Sequence, residues 1–189
     1  MKLDAKKTAL LTLDFQKGIL GFVPGAEAVI AKASKAVEFA RKKQYQIIHV
    51  GLGFSPGYPE IPDTESRFQR LKQNNLFIKG TASAEFHNSI ARPEDLVVYK
   101  QRVGAFSENH LHMILRSRGI ENLVFFGIST SGITLSTLRR ASDFDFRCVV
   151  LKDACFDPDP EVHRVLTEKV FAAQATVLTV DAFLAEQGE

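Results

Sequence analysis

The chain has 189 residues, 45% of them hydrophobic and 24% charged, a balance that excludes disorder and fibrous repeats. Formal net charge is +2 with the basic residues spread along the chain, which argues against a nucleic-acid footprint, and no apolar run reaches the roughly eighteen residues of a membrane span. A single domain over residues 1–189 is expected, with a core that buries roughly 70% of the surface the unfolded chain exposes.

Residues 8–14 (TALLTLD) are the first of six short runs that are rich in β-branched residues and apolar on both faces, as buried parallel strands are. Residues 26–43 follow with Val29, Ala33, Ala36 and Ala40 at helical spacing, and Arg41, Lys42 and Lys43 complement the dipole in the last turn. Gln46–Leu52 is the second run. Residues 53–80 then break the rhythm: GFSPGYPEIP and a charged TESRFQRLKQNN show no strand pattern, and a loop this long reads as a lid or an oligomer-contact excursion. Residues 95–99 are the third run, followed by a helix at 107–118 carrying Leu111, Ile114 and Leu115 and ended by Gly119. Asn122–Gly127, a helix at 131–143, the run 146–151, a helix at 158–171 with Pro158 in its first turn, and the run 176–180 complete the chain. Strands alternating with helices predict a three-layer α/β/α sandwich, a mostly parallel six-stranded sheet with helices on both faces. Residues 1–7 carry acidic and basic groups ahead of any apolar stretch, unlike a secretory signal, and two cysteines cannot staple a fold, so a soluble cytoplasmic protein is expected.

In open α/β sheets, ligands lie beyond the carboxyl ends of the strands. Asp14 follows the first run and Lys100 the third, while the fourth opens into Gly127-Ile128-Ser129-Thr130-Ser131-Gly132, a small-residue turn into a helix. Singly, these residues have plain readings: a turn-forming Asp, a snorkelling Lys and N-capping hydroxyls. Together they describe a cleft. A carboxylate and an ammonium from two strand ends hold each other charged and can shuttle a proton. N–H groups of the turn from Ile128 to Ile133 would bind an oxyanion or carboxylate. Phe15, Phe106 and Ile133 would wall the cleft, with residues 53–75 as its lid.

Three blocks carry a resemblance: LLTLDFQKG at 10–18, VVYKQRVGAF at 97–106 and LVFFGISTSGITLSTLRRASDFDFRCVVLKDAC at 123–155. In order, spacing and strand-end context they resemble the isochorismatase-like (cysteine hydrolase) superfamily over nearly the whole chain. The resemblance implies that Asp14 is a general acid/base supported by Lys100, that a small molecule is the substrate, and that the protein is a homo-oligomer, a dimer or larger. It also implies a cis peptide at Ile128–Ser129. The family's nucleophilic cysteine would stand at the head of the following helix, and there the chain departs: the position holds Ile133, beside Gly132, with Thr137 on the pattern's final threonine. Neither Cys148 nor Cys155 falls there. Ser131, Thr134 and Cys155 stay open as substitute nucleophiles. True isochorismatases of the superfamily also lack the cysteine; their aspartate protonates a vinyl ether carbon and water completes the hydrolysis. Arg102 and Arg67 are the candidate anion clamps. Family nicotinamidases bind a metal through an Asp-x-His and a further His after the second strand. GLGFSPGYPEIPDTES at 51–66 holds no histidine, while His49 lies within a strand run and His110 and His112 fall on different helix faces. No metal, cofactor, nucleic acid or membrane partner is expected. The alternative is a catalytically inactive member that binds a small anionic metabolite or a protein partner.

Overall fold

The computed structural model describes residues 2–64 and 66–188, without the side chains of Ser66 and Arg67. Strands β1 (Thr8–Leu13), β2 (Gln46–Leu52), β3 (Leu96–Lys100), β4 (Asn122–Gly127), β5 (Arg147–Leu151) and β6 (Ala175–Leu178) pair in the order β3-β2-β1-β4-β5-β6, every pair parallel. The helices are α1 (Lys17–Leu20), α2 (Ala26–Lys42), α3 (Ser66–Gln73), α4 (Leu111–Ser117), α5 (Leu135–Asp143), α6 (Pro160–Val165) and α7 (Val180–Gly188). Central strands β1 and β4 are buried at every position, which is why their sequences run apolar on both faces.

The chain builds outward from β1 to β3, then returns to the other side of β1 and builds outward again. Right-handed crossovers therefore place α2, which joins β1 to β2, and α5, which joins β4 to β5, on opposite faces. On one face α2 meets α7, with Phe39 edge-on to Phe183 at 5.8 Å and Lys32 Nζ 2.8 Å from Asp181. On the other, α4 and α5 meet through Phe106, His112, Phe144 and Phe146, and Arg116 donates to the Phe144 carbonyl at 3.0 Å.

The elements differ from expectation in instructive places. Residues 53–80 contain α3 and a bridge between Phe54 and Ile78, and they close over a second core of Leu52, Phe54, Tyr58, Ile61, Phe68 and Phe77. Apolar residues too irregularly spaced to show a period still bury one another. The last strand stops at Leu178, and α7, not expected, begins at Val180, whose N–H is taken by the Asp153 carboxylate at 2.7 Å. The helix expected at 107–118 narrows to α4. The one expected at 158–171 begins at Pro160 behind the Asp159 cap, and a wider turn, Leu166–Val170, follows α6. Among the described residues no helix is long and apolar enough to cross a membrane.

Candidate active site

The sheet reverses its order of construction between β1 and β4, and in such folds the crevice above that switch point receives the ligand. Leu13 pairs with Gly127, so Asp14 and Ile128 leave adjacent strands side by side. Asp14 donates its N–H to the Val50 carbonyl at 2.8 Å and has φ 62°, a left-handed conformation that Asp tolerates better than most residues. Lys100 closes β3, two strands away, and its long side chain reaches across the end of β2. Lys100 Nζ stands 3.1 Å from Asp14 Oδ2, with side-chain exposures of only 2% and 8%. The same ammonium donates to the Arg102 carbonyl at 3.1 Å. The other carboxylate oxygen, Oδ1, is buried and has no partner among the described residues. Burial pushes the Asp14 carboxyl above the usual carboxylate range, and the Lys100 charge opposes that only in part. A carboxyl so placed can hold a proton or release it, and one of its oxygens has its hydrogen-bonding capacity unused.

The turn after β4 carries a cis peptide at Ile128–Ser129, at the expected bond. It continues as a wide turn, Thr130–Thr134, ahead of α5. Its N–H groups are largely spoken for. Thr130 donates to the Phe156 carbonyl at 2.8 Å, Ser131 to Asp157 Oδ2 at 2.8 Å, Gly132 to Ser129 Oγ at 3.1 Å and Thr134 to the Ser129 carbonyl at 3.2 Å. The Ser129 N–H takes part in none of these bonds, so it is a donor the turn leaves for a ligand. Gly127 is needed for close packing: a Cβ there would stand 2.6 Å from Leu13 Cβ and 3.0 Å from Thr134 Oγ1.

Other candidate residues take different places. Ile133 and Thr134 are buried at the head of α5, the Thr134 hydroxyl beside the Cys155 thiol. Ser131 is exposed. Burial raises both cysteine thiols to about 12, so Cys155 at neutral pH is a protonated thiol, not a thiolate. Phe15 belongs to the core, edge-on to Phe126 at 5.4 Å, and not to a wall of the cleft. The Phe106 ring stacks among His112, Phe144 and Phe146. It also lines a cavity of about 780 Å³ with Arg102, Val103, Gly104, Ser136 and Arg140. That is a ligand-sized space next to the Lys100–Arg102 contact. Arg102 donates to the carbonyls of Glu60 at 3.1 Å and Gln101 at 2.7 Å, tying residues 53–80 to the site. The Arg67 side chain lies outside the described residues. Among the described residues no three of His, Cys, Asp and Glu come together as metal ligands would. The sequence reading did not single out Asp157 and His163, which brace the turn from the far side. The only signal was an Asp and a His downstream of Cys155 in CFDPDPEVH, and nothing in their spacing ties them to residues 130 and 131.

The chain is thus an α/β protein whose parallel sheet carries a buried carboxylate–lysine pair and a cis-peptide turn at its switch point. The chain belongs to the isochorismatase family, whose domain model matches residues 8–182. It is 31% identical to the isochorismatase family protein YecD of Escherichia coli O157:H7, over 97% of this chain and 98% of that protein. It is also 31% identical to the ureidoacrylate amidohydrolase RutB of Stutzerimonas stutzeri, over 97% of this chain and 79% of the relative. Among solved structures, N-carbamoylsarcosine amidase from Thermoplasma acidophilum superposes with a TM-score of 0.75 at 25% identity, covering 93% of this chain and 97% of that one.

Proposed function

We propose that the protein is a hydrolase that cleaves a C–N or C–O bond of a small molecule by acid–base chemistry at Asp14, without a cysteine nucleophile. The observation that carries this reading is the buried Asp14–Lys100 pair with its unpartnered Asp14 Oδ1. The names of RutB and of N-carbamoylsarcosine amidase support hydrolysis of an amide-type bond. Ile133 stands where the resemblance puts the nucleophile, and a hydrocarbon cannot attack a carbonyl, so water is the attacking group. For an amide, unprotonated Asp14 takes the proton of that water as the water oxygen bonds to the carbonyl carbon, and Lys100 and the Ser129 N–H offset the charge on the carbonyl oxygen. Asp14 then returns the proton to the leaving nitrogen as the C–N bond breaks. For a vinyl ether, protonated Asp14 delivers its proton to carbon, and water adds to the resulting cation and gives a proton back to Asp14. The hemiketal then collapses to a carbonyl compound and an alcohol as its C–O bond breaks. Burial favours the protonated form of Asp14 and Lys100 favours the ionised one.

A screen over amide, carbamoyl and vinyl-ether substrates tests this. Asp14→Asn is expected to lower turnover by about 100-fold or more, and unchanged turnover in that variant would refute it. The pH limb separates the two chemistries: activity rises with pH through the Asp14 titration for the base route and falls for the acid route. The replacement at position 133 also favours a second reading, an inactive member that binds a small anion. A protein inert to every substrate class that still binds an anion next to Asp14 would select it.

A further inference from the structure

We propose that His163 and Asp157 are positioning residues for the turn at Ile128–Ile133, His163 through the Thr130 hydroxyl and Asp157 through the Ser131 N–H. The inference rests on reading that turn as part of the active site. Its basis is a second segment that wraps the turn from behind. Phe156 bridges Ile128, donates to the Gly127 carbonyl at 3.3 Å and accepts from Thr130 N–H at 2.8 Å. The next residue, Asp157, is buried and accepts the Ser131 N–H through Oδ2 at 2.8 Å. Its Oδ1 receives the Asp159 N–H at 3.4 Å, and Asp159 in turn caps α6, which carries His163. His163 Nδ1 stands 2.8 Å from the Thr130 hydroxyl, and Thr130 is fully buried. Residues 127–131 are thus gripped at backbone and side chain by residues 156–163. Neither Asp157 nor His163 is among the residues that form the pair across the cleft.

The two grips differ in kind. Asp157 supplies a charge-assisted bond to a backbone N–H at the amino end of the turn leading into α5, where a carboxylate is favoured. His163 is half-buried, and burial lowers its pKa, so the imidazole is neutral at neutral pH; the charges that face it are Asp157, which opposes the lowering, and Lys152, which adds to it. A neutral imidazole with bare Nδ1 accepts from the Thr130 hydroxyl. Once Nδ1 is protonated it no longer can, and the hydroxyl must turn. Ser129 follows Ile128, which leaves β4 beside Asp14, so a turn that shifts by a fraction of an ångström misplaces the Ser129 N–H relative to Asp14 and a substrate.

The test uses the full-length protein. With a substrate from the screen, His163→Leu is expected to lower kcat about tenfold or more with KM little changed. His163→Asn, whose side-chain oxygen falls near the place of Nδ1 but does not titrate, should recover most of that rate and lack the acid limb due to His163. Thr130→Val should match His163→Leu. Wild-type kcat in His163→Leu, or no recovery in His163→Asn, overturns the proposal. A second readout needs no turnover: ¹⁵N NMR of the imidazole, with the His163 signal assigned from its absence in His163→Asn. Thr130→Val should move the Nδ1 resonance and raise the titration midpoint, because the lost bond stabilised the neutral ring. Asp157→Ala should shift the Ser131 amide more than Asp157→Asn does. Unmoved Nδ1 and amide resonances overturn the proposal even if no substrate is found, whereas a wild type inert to every substrate refutes only the hydrolase reading.

Discussion

Lys100→Met isolates the energetics of the buried Asp14–Lys100 pair. In the wild type the ammonium is 3.1 Å from Asp14 Oδ2 and both side chains are nearly sealed from water. Among the described residues Asp14 has no other side-chain partner, and Oδ1 already lacks one. Methionine keeps the length of the lysine stem and removes its charge. A carboxylate left buried and unpaired costs about 3–5 kcal/mol, but Asp14 can avoid part of that cost by binding a proton. Its carboxyl is already held above the ordinary value of 3.8 by burial, and removing Lys100 raises it further. Between the ordinary and the raised value the folded state binds more protons than the unfolded state, so this contribution to stability is lost as pH rises. The variant should therefore lose less than about 1.5 kcal/mol at pH 4.5, the cost of a near-isosteric apolar swap, and about 3–5 kcal/mol at pH 8. For a chain of this size the latter lowers Tm by about 6–20 °C. Urea unfolding at pH 4.5, 6 and 8 is the assay. A loss equal at all three pH values would refute the argument, as would a loss below about 1 kcal/mol at pH 8.

Other consequences are equally direct. Gly127→Ala drives a methyl group into Leu13 Cβ and the Thr134 hydroxyl, so unfolding experiments should find it destabilised by about 1–3 kcal/mol. His49 is fully buried, with Nδ1 2.7 Å from the Thr12 hydroxyl and Nε2 2.9 Å from Asp95, whose carboxylate also pairs with Arg41. Burial lowers its pKa below the ordinary 6.5, so the stability it contributes is complete above that value and lost as pH falls toward the folded value. His49→Leu should cost about 1–3 kcal/mol at pH 8 and flatten the acid side of the stability profile. Cys148 and Cys155, both buried thiols raised to about 12, should resist a thiol reagent in the native protein and react fully in urea; fast native labelling of Cys155 would reopen its candidacy as a nucleophile.

What was legible in advance followed from local rules. Strand periodicity placed five of the six runs within a residue or so of the observed strands because those strands are buried on both faces and must be apolar throughout. The last run was misjudged at its end because Thr179 and Val180 continue its apolar character, while the Asp153 cap that starts α7 comes from far away in sequence. Asp14 and Lys100 were candidates because each directly follows an apolar run, and the resemblance added their roles.

The sequence by itself determined that an acid and a base stand at strand ends of an open parallel sheet, that the turn after the fourth strand is built from small residues, and that Ile133 heads the following helix. Only the tertiary structure decided which of these groups meet and which are already engaged. It brought Lys100 across β2 to Asp14, left Asp14 Oδ1 without a partner among the described residues, and spent the Ser131 N–H on Asp157. It also sent Phe15 to the core and enclosed Cys155 as an inert thiol. The physical reason is one of range. Burial patterns follow from neighbours a few residues away, whereas hydrogen-bond satisfaction and the pKa of a buried group depend on partners 26 to 86 residues distant, as for Ser131 with Asp157 and Asp14 with Lys100.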